Sequence, residues 1–281
     1  MARHNISTYY GRVSDTPRIV KSPSGEFKQG MCYITTLRND RDINADANLV
    51  RYDQPLILTG IPQLAQQMSE LKKNDIVCIK GSFTTKNITK KTICKHCGAT
   101  NTQNGVLDLI SPIFIDVCYS DISEEESVEI LKGYKEVSNQ VLLIGNITKD
   151  ITLYHPEENY ASAQYQLAVG RKYFLKDDSV EVKADYPFIK TFGEQALKDN
   201  MYLKTGSSVL VDGYVQTNNY VKKTICSECN QEYNWNDQSM CVVAYAIEYL
   251  KNYRTQEEID EIEQAAYEKE QAEIQAVKNK L

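Results

Sequence analysis

The sequence predicts an all-β protein with minor helices: two tandem barrels, a helical connector and a C-terminal helix. Three observations carry that prediction. The chain has 281 residues, a length that suits two domains better than one. Residues 71–97 and 203–229, read at a constant offset of 132, share 12 identities in 27 positions without a gap, where chance gives about two. Each copy is written in short apolar or alternating runs that end in glycine, asparagine or aspartate, which punctuate strands. Two copies make a tandem pair and not a solenoid.

The elements follow in order. In the second copy Gln140–Gly145 is a short apolar run, and Gln164–Val169 alternates. Gly193–Leu203 reads as a helix, matched by Ile61–Leu71 in the first copy. Ser208–Val215 alternates again, and Val242–Leu250 closes the copy. Three strands, a helix and two more strands is the order of an OB-fold barrel. The expected division is a first barrel over 1–120, an acidic helical connector over 121–138, a second barrel over 139–253 and an acidic C-terminal helix over 254–281. The connector opens with the capping box Ser123-Glu-Glu-Glu126 and runs toward Val137; the tail opens with Thr255-Gln-Glu-Glu258. In the tail Ile259, Ile262, Ala266, Ile274, Val277 and Leu281 keep helical spacing. So thin a stripe suits packing on the same protein or a twin rather than on a membrane.

Composition narrows the class. Hydrophobic content of 42% and charged content of 25% exclude wholesale disorder. No apolar run approaches the roughly 20 residues that span a bilayer, and the N-terminus lacks the apolar core of a secretory signal. The expectation is a cytoplasmic protein. Cys32, Cys78, Cys118 and Cys241 stand singly among apolar residues and read as core hydrophobes. The net charge of −6 is uneven: residues 1–118 carry +5, while 119–139 and 254–281 carry −4 each. An acidic total therefore does not exclude an anionic partner for the first copy.

Four motifs in the second copy carry a resemblance: Leu143-Ile-Gly-Asn-Ile-Thr-Lys-Asp150, Leu167-Ala-Val-Gly-Arg-Lys172, Leu203-Lys-Thr-Gly206 and Val211-Asp-Gly-Tyr-Val-Gln-Thr217. In that order and spacing, this copy resembles the bacterial single-stranded DNA-binding proteins over about 141–220 and 242–250. The first copy is more distant and keeps Tyr10-Gly-Arg-Val13, Pro23-Ser-Gly25 and Lys80-Gly81. The resemblance implies non-catalytic binding of single-stranded DNA in replication, repair or transfer, with bases stacked on Tyr173, Tyr186, Phe192 and Tyr220. In the first copy Tyr52 aligns with Tyr186. Ile88 matches Tyr220, a position near Leu58 matches Phe192, and Asp40 or Arg41 matches Tyr173. A division of labour follows. Arg12, Arg18, Lys21, Arg38, Arg51, Lys86, Lys90 and Lys91 draw in phosphates, joined by Arg171, Lys172, Lys222 and Lys223 of the second copy. The rival is a first copy kept as a degenerate structural partner. Stacking does not read the 2′-hydroxyl, so RNA stays open as a ligand. The family assembles four barrels, which implies a homodimer here. Its acidic tail ends in a tip that recruits replication partners, and this chain ends Ala276-Val-Lys-Asn-Lys-Leu281 instead.

Each copy also carries a Cys-x-x-Cys, Cys94/Cys97 and Cys226/Cys229, in the hairpin between its last two strands. The four cysteines suit one tetrahedral zinc per chain if the hairpins meet. His96 is a possible substitute ligand, while Cys118 and Cys241 do not align in the repeat. A redox dithiol sits at a helix N-terminus, and these pairs do not. No catalytic set stands out. Two further readings remain: an OB-fold interaction scaffold held by zinc, and a thiol oxidoreductase or zinc enzyme.

Overall fold

The computed structural model describes residues 4–38, 50–157, 160–171 and 184–278. The first copy comprises β1 (His4–Val13), β2 (Arg18–Lys21), β3 (Phe27–Leu37), β4 (Tyr52–Asp53), β5 (Leu56–Thr59), α1 (Pro62–Glu70), β6 (Ile76–Ile93) and β7 (Thr100–Tyr119). The helix α2 (Glu124–Gly133) connects it to β8 (Asn139–Ile147), β9 (Thr152–Glu157), β10 (Tyr160–Gly170), β11 (Ala184–Asp185), β12 (Phe188–Phe192), α3 (Gly193–Tyr202), β13 (Ser208–Ile225) and β14 (Glu232–Lys251). The helix α4 (Gln256–Lys278) ends the chain.

Strand pairing closes on itself in each copy. The circuit β1–β6–β7–β5–β3 returns to β1, and β8–β13–β14–β12–β10 returns to β8. The one parallel pairing of each ring falls at Ile57 with Ile110 and at Ile189 with Val242, the same place at the repeat offset. Alternation explains the rings. Along β1 and β8 every second side chain is buried, so one face of each strand fills the barrel. Tyr9, Ile34, Ile57 and Phe83 of the first copy and Leu143, Leu167, Ile189 and Val215 of the second belong to one buried cluster. The short β2, β4, β9 and β11 are additions to the three strands expected before each helix.

The two rings join edge to edge. β1 pairs antiparallel with β8, from His4 opposite Ile144 to Tyr9 opposite Asn139. Two buried amides continue the pairing past the ends of the main-chain ladders. Asn5 exchanges two 2.8 Å bonds with the backbone of Phe83, and Asn139 exchanges bonds of 2.8 and 2.9 Å with that of Val215. The register of the last two strands shifts at Gly81 and again at Gly213. A Cβ there would stand 2.6 Å from the Ser111 carbonyl oxygen and 2.1 Å from that of Val243, so glycine is required where these long strands bend.

Several expectations change. α2 ends at Gly133, short of Val137; Tyr134 beyond it stacks on Tyr10 at 4.7 Å. Cys32 and Cys241 are buried, but Cys78 and Cys118 are half-buried beside the outward-facing Tyr10, because the pleat turns them away from the barrel. The tail is a helix with the expected Thr255–Glu258 capping box. Yet of its stripe only Ile259 is buried among the described side chains, and Ile262 is exposed. Among the described residues no helix is long and apolar enough to cross a membrane.

Candidate nucleic-acid interface

The last two strands of each copy outrun their barrel as a two-stranded arm, and the arms lie side by side. Thr92 Oγ1 and Tyr233 Oη are 2.6 Å apart, Gln103 Nε2 donates to Thr224 Oγ1 at 2.9 Å, and Ser227 donates twice to Asn101 Oδ1 at 2.9 Å. Lower down, each copy places a buried aspartate against the other. Asp53 accepts from the Thr217 N–H at 2.8 Å, and Asp185 accepts from the Thr85 N–H at 2.9 Å. Each is also held by an arginine of its own copy through two bonds: Arg38 to Asp53 at 3.0 and 3.1 Å, Arg171 to Asp185 at 2.7 and 2.8 Å.

The arm tips bring the four paired cysteines together. Cys94 Sγ lies 3.7 Å from Cys229 Sγ and Cys97 Sγ lies 3.7 Å from Cys226 Sγ, with all four sulfurs within 4.8 Å of one another. Four thiolates at about 2.3 Å from a shared ion stand about 3.8 Å apart, so the spacing is that of a tetrahedral site. Each pair sits on a turn closed by a main-chain bond, Gly98 N–H to the Cys94 carbonyl and Asn230 N–H to that of Cys226. Gly98 and Asn230 take positive φ there, at 75° and 54°, which these two residue types tolerate best. Main-chain N–H groups of the second pair's turn, with the Asn101 amide, pull the Cys226 thiol down to about 6. His96 is not a ligand: its ring bonds the Glu232 carbonyl at 3.0 Å.

The aromatic positions divide. Tyr186 and Phe192 are exposed. So is Phe188, which the sequence reading missed; with Lys190 and Phe192 it forms one outward row along β12, and the alternation Phe-x-Lys-x-Phe was the signal. Tyr154 and Tyr160, also missed, pair edge-on at 6.5 Å beside that row. Tyr220 is exposed and its hydroxyl donates to Asp237 at 3.1 Å. Tyr173 and Lys172 lie outside the described residues, as do Asp40 and Arg41. Tyr52 is exposed, but it is not the counterpart of Tyr186. It stands opposite Leu37 as Ala184 stands opposite Gly170, so Ala184 is its match and Gln54 matches Tyr186. By the same register the match of Phe192 is Gly60, and Leu58 matches Lys190. The first copy presents buried Leu56 and Leu58 where the second presents Phe188 and Lys190.

The basic residues also divide. Arg38 and Arg171 are spent on Asp53 and Asp185, and both carboxylates are fully buried. Arg12 is largely buried and bonds Glu124 at 3.0 Å. Lys90 reaches across to Asp237 at 2.5 Å. These four are held inside carboxylate contacts and are not the loose phosphate ligands expected. Lys223 pairs on the surface with Glu232 at 3.2 Å. Lys91 and Lys222 are exposed, Lys222 lying 5.5 Å from the Trp235 ring centre. Arg18 and Lys21 are exposed on β2. Between the copies, below the arm of the second, a groove of about 620 Å³ opens, with Tyr33, Leu107 and Asp108 on one side and Tyr220, Gln238 and Met240 on the other.

Comparison with known proteins agrees with this layout. The model of the single-strand binding protein family matches residues 138–236, most of the second copy. Single-stranded DNA-binding protein B of Bacillus subtilis is 38% identical over 82 residues, which are 29% of this chain and 71% of that protein. The single-stranded DNA-binding protein of Helicobacter hepaticus is 31% identical over 101 residues, 36% of this chain and 51% of that protein. The chain thus spans about half the length of that relative. The crystal structure of the wild-type single-stranded DNA binding protein from Thermus aquaticus superposes with a TM-score of 0.54 at 16% identity, over 91% of this chain and 97% of that one. At that identity the likeness is one of fold, and it extends over both copies.

Proposed function

The chain belongs to the single-strand binding protein family, and from that premise we propose that it binds single-stranded DNA, without catalysis and with little sequence preference. The carrying observation is the outward row Phe188, Lys190 and Phe192, flanked by Tyr186 and the Tyr154–Tyr160 pair. Exposed rings beside a cation are what a stacking platform needs, because every base has a π-face. Lys91, Lys222, Arg18 and Lys21, all exposed, are cations that meet phosphate. RNA remains a competing ligand on these contacts.

The reading divides the chain at 1–120, 121–138, 139–253 and 254–281 and sets it in the cytoplasm. The Cys94, Cys97, Cys226 and Cys229 cluster takes one zinc, supported by its all-sulfur donors and 3.7 Å spacings. The metal clamps the arms and so fixes one copy against the other. A homodimer completes four barrels. It is supported by the outward face of the joined sheet, where Ile6, Leu142, Ile144 and Leu210 are adjacent in register and only half-buried. Replication proteins are a further class of candidate partner, with no residue of this chain assigned to them. The scaffold alternative leaves the exposed ring row without a purpose.

Titration of the metal-loaded chain with oligo(dT), followed through Tyr and Trp235 fluorescence, tests the reading. Phe188→Ala and Phe192→Ala each cost about 1–3 kcal/mol of affinity. Saturable binding that both variants leave untouched would move the interface elsewhere, and no binding would remove the function.

A further inference from the structure

The groove between the copies does not fit a uniformly sequence-tolerant surface. Its volume of about 620 Å³ lies within the range of small-ligand pockets. One half-exposed tyrosine enters from each copy, Tyr33 at 37% and Tyr220 at 43%. Phosphate is a poor guest. Lys90, the cation among its described lining residues, is closed onto Asp237, and a second carboxylate, Asp108, remains in the wall.

Asp108 breaks the pseudo-twofold relation of the copies. It stands opposite Thr85 on β7, where the second copy has Met240 opposite Thr217, and both line the groove. Among the described residues nothing donates a hydrogen bond to the Asp108 carboxylate. Burial pushes its carboxyl up to about 7; Lys90 on β6 pulls it down and Asp185 on β11 pushes it further up. A carboxylate kept at that cost, where a thioether serves the other copy, is waiting for a donor.

We propose that this groove is a nucleobase pocket selective for guanine, in which Asp108 accepts from the base edge and Tyr33 and Tyr220 supply the stacking faces. The proposal rests on the chain being a single-strand binder. A carboxylate offers two acceptor oxygens and can be bonded twice. Guanine presents two adjacent donors, the ring N1–H and the 2-amino group. Cytosine and adenine set a ring acceptor beside their amino group, and thymine flanks its one N–H with carbonyls, so each puts a lone pair against the carboxylate.

The test uses the full, metal-loaded chain and oligo(dT) carrying one central dG, dC, dA or deoxyinosine, at about pH 8 so that Asp108 is ionised. A hydrogen bond to a charged group is worth about 1.5–3 kcal/mol, so the dG strand binds about tenfold or more tighter than all-dT. Deoxyinosine keeps the N1–H, lacks the 2-amino group and gives back most of that gain. In Asp108→Asn the dG-to-dT ratio falls to about one. Ordinary dT binding with no dG advantage overturns the pocket alone, as does an advantage that survives in deoxyinosine and in Asp108→Asn. Failure of every strand to bind overturns the function itself. Displacement of the dG strand by micromolar dGMP would make the groove a free-nucleotide site and overturn the strand-borne assignment.

Discussion

Asp53, fully buried in the first copy, accepts a 2.8 Å hydrogen bond from the main-chain N–H of Thr217 in the second. Its mirror is Asp185 with Thr85. Each threonine hydroxyl in turn accepts from the main-chain N–H just after the opposite aspartate, Gln54 to Thr217 and Tyr186 to Thr85. The two copies are thus cross-bolted twice by the same parts, and Tyr186 is held at the bolt. Function and assembly meet there: the strand that carries the exposed ring row begins two residues later.

Breaking one bolt strands an arginine. Asp53→Asn leaves the Arg38 guanidinium largely buried without its counter-charge, and Asp185→Asn does the same to Arg171. Removing one partner of a buried ion pair costs about 3–5 kcal/mol. Chemical denaturation shows both variants destabilised by similar amounts. A loss in one and none in the other would mean that the two aspartates are not equivalent.

These bolts explain where the sequence was readable. The last two strands and the cysteine hairpins stood out because identities crowd there at a single offset. Asp53 and Asp185 share that offset, but they lie upstream of the matched window. Their arginines do not share it: Arg38 and Arg171 are separated by 133 residues, since the segments after them differ in length by one. Tyr52 was set against Tyr186 at a separation of 134 residues, two beyond the register that the aspartates share. Lys90 read as a phosphate ligand because its carboxylate lies 147 residues away on the other arm. The Tyr154–Tyr160 pair hid among ordinary strand residues, Phe188 was marked by nothing but the Phe-x-Lys-x-Phe alternation of β12, and exposure is what separates a stacking ring from a core ring. The Asp108 groove left no trace in either copy, because it exists only between them.

Zinc analysis gives about one ion per chain. Cys94→Ser and Cys226→Ser each release it, because three thiolates make a poor structural site. Loss of metal also separates the arm tips, so amide protection falls around Thr92 and Tyr233 before it falls in the barrels. Two zincs per chain, or retention after either substitution, would refute a shared site.

Salt dependence separates the lysines. Lys91→Gln lowers the slope of log affinity against log salt by about one contact, roughly 0.7 for a single strand. Lys90→Gln instead leaves Asp237 largely buried without its ammonium and shows first as a drop in stability. Equal slopes for wild type and Lys91→Gln would take Lys91 off the DNA path.

Asp108 sets a pH dependence of stability. Its folded carboxyl is raised, chiefly by burial, to about 7, against 3.8 for the free group. The folded state therefore holds a proton that the unfolded state releases between those values. The stability this confers is full below about 4 and is lost as pH rises through about 7. Asp108→Asn removes the loss, so the variant gains on wild type between pH 5 and 8, by about 1 kcal/mol or more. Parallel melting curves at the two pH values, with no gain, would show Asp108 ionising freely in solvent.

The tail and the sheet face make opposite claims on assembly, and truncation separates them. Among the described residues, α4 is anchored at its start: Ile259 is buried, Lys204 meets Glu258 at 3.0 Å, and Arg254 donates to the carbonyls of Asn200, Met201 and Leu203 at the end of α3. Beyond that turn Ile262 and Tyr267 are exposed. Two exposed residues of α4 offer little to a barrel–barrel contact, whereas Ile6, Leu142, Ile144 and Leu210 form an apolar face suited to a second copy. Deleting 261–281 keeps the anchor and leaves oligo(dT) affinity within about tenfold, since no stacking position lies there. Sedimentation then finds the truncated chain still a dimer. Ile144→Glu, which sets a charge on the sheet face, gives a folded monomer. A full-length chain that sediments as a monomer at micromolar concentration would refute the four-barrel assembly. A truncated chain that falls to monomer while Ile144→Glu stays dimeric would move the interface to α4.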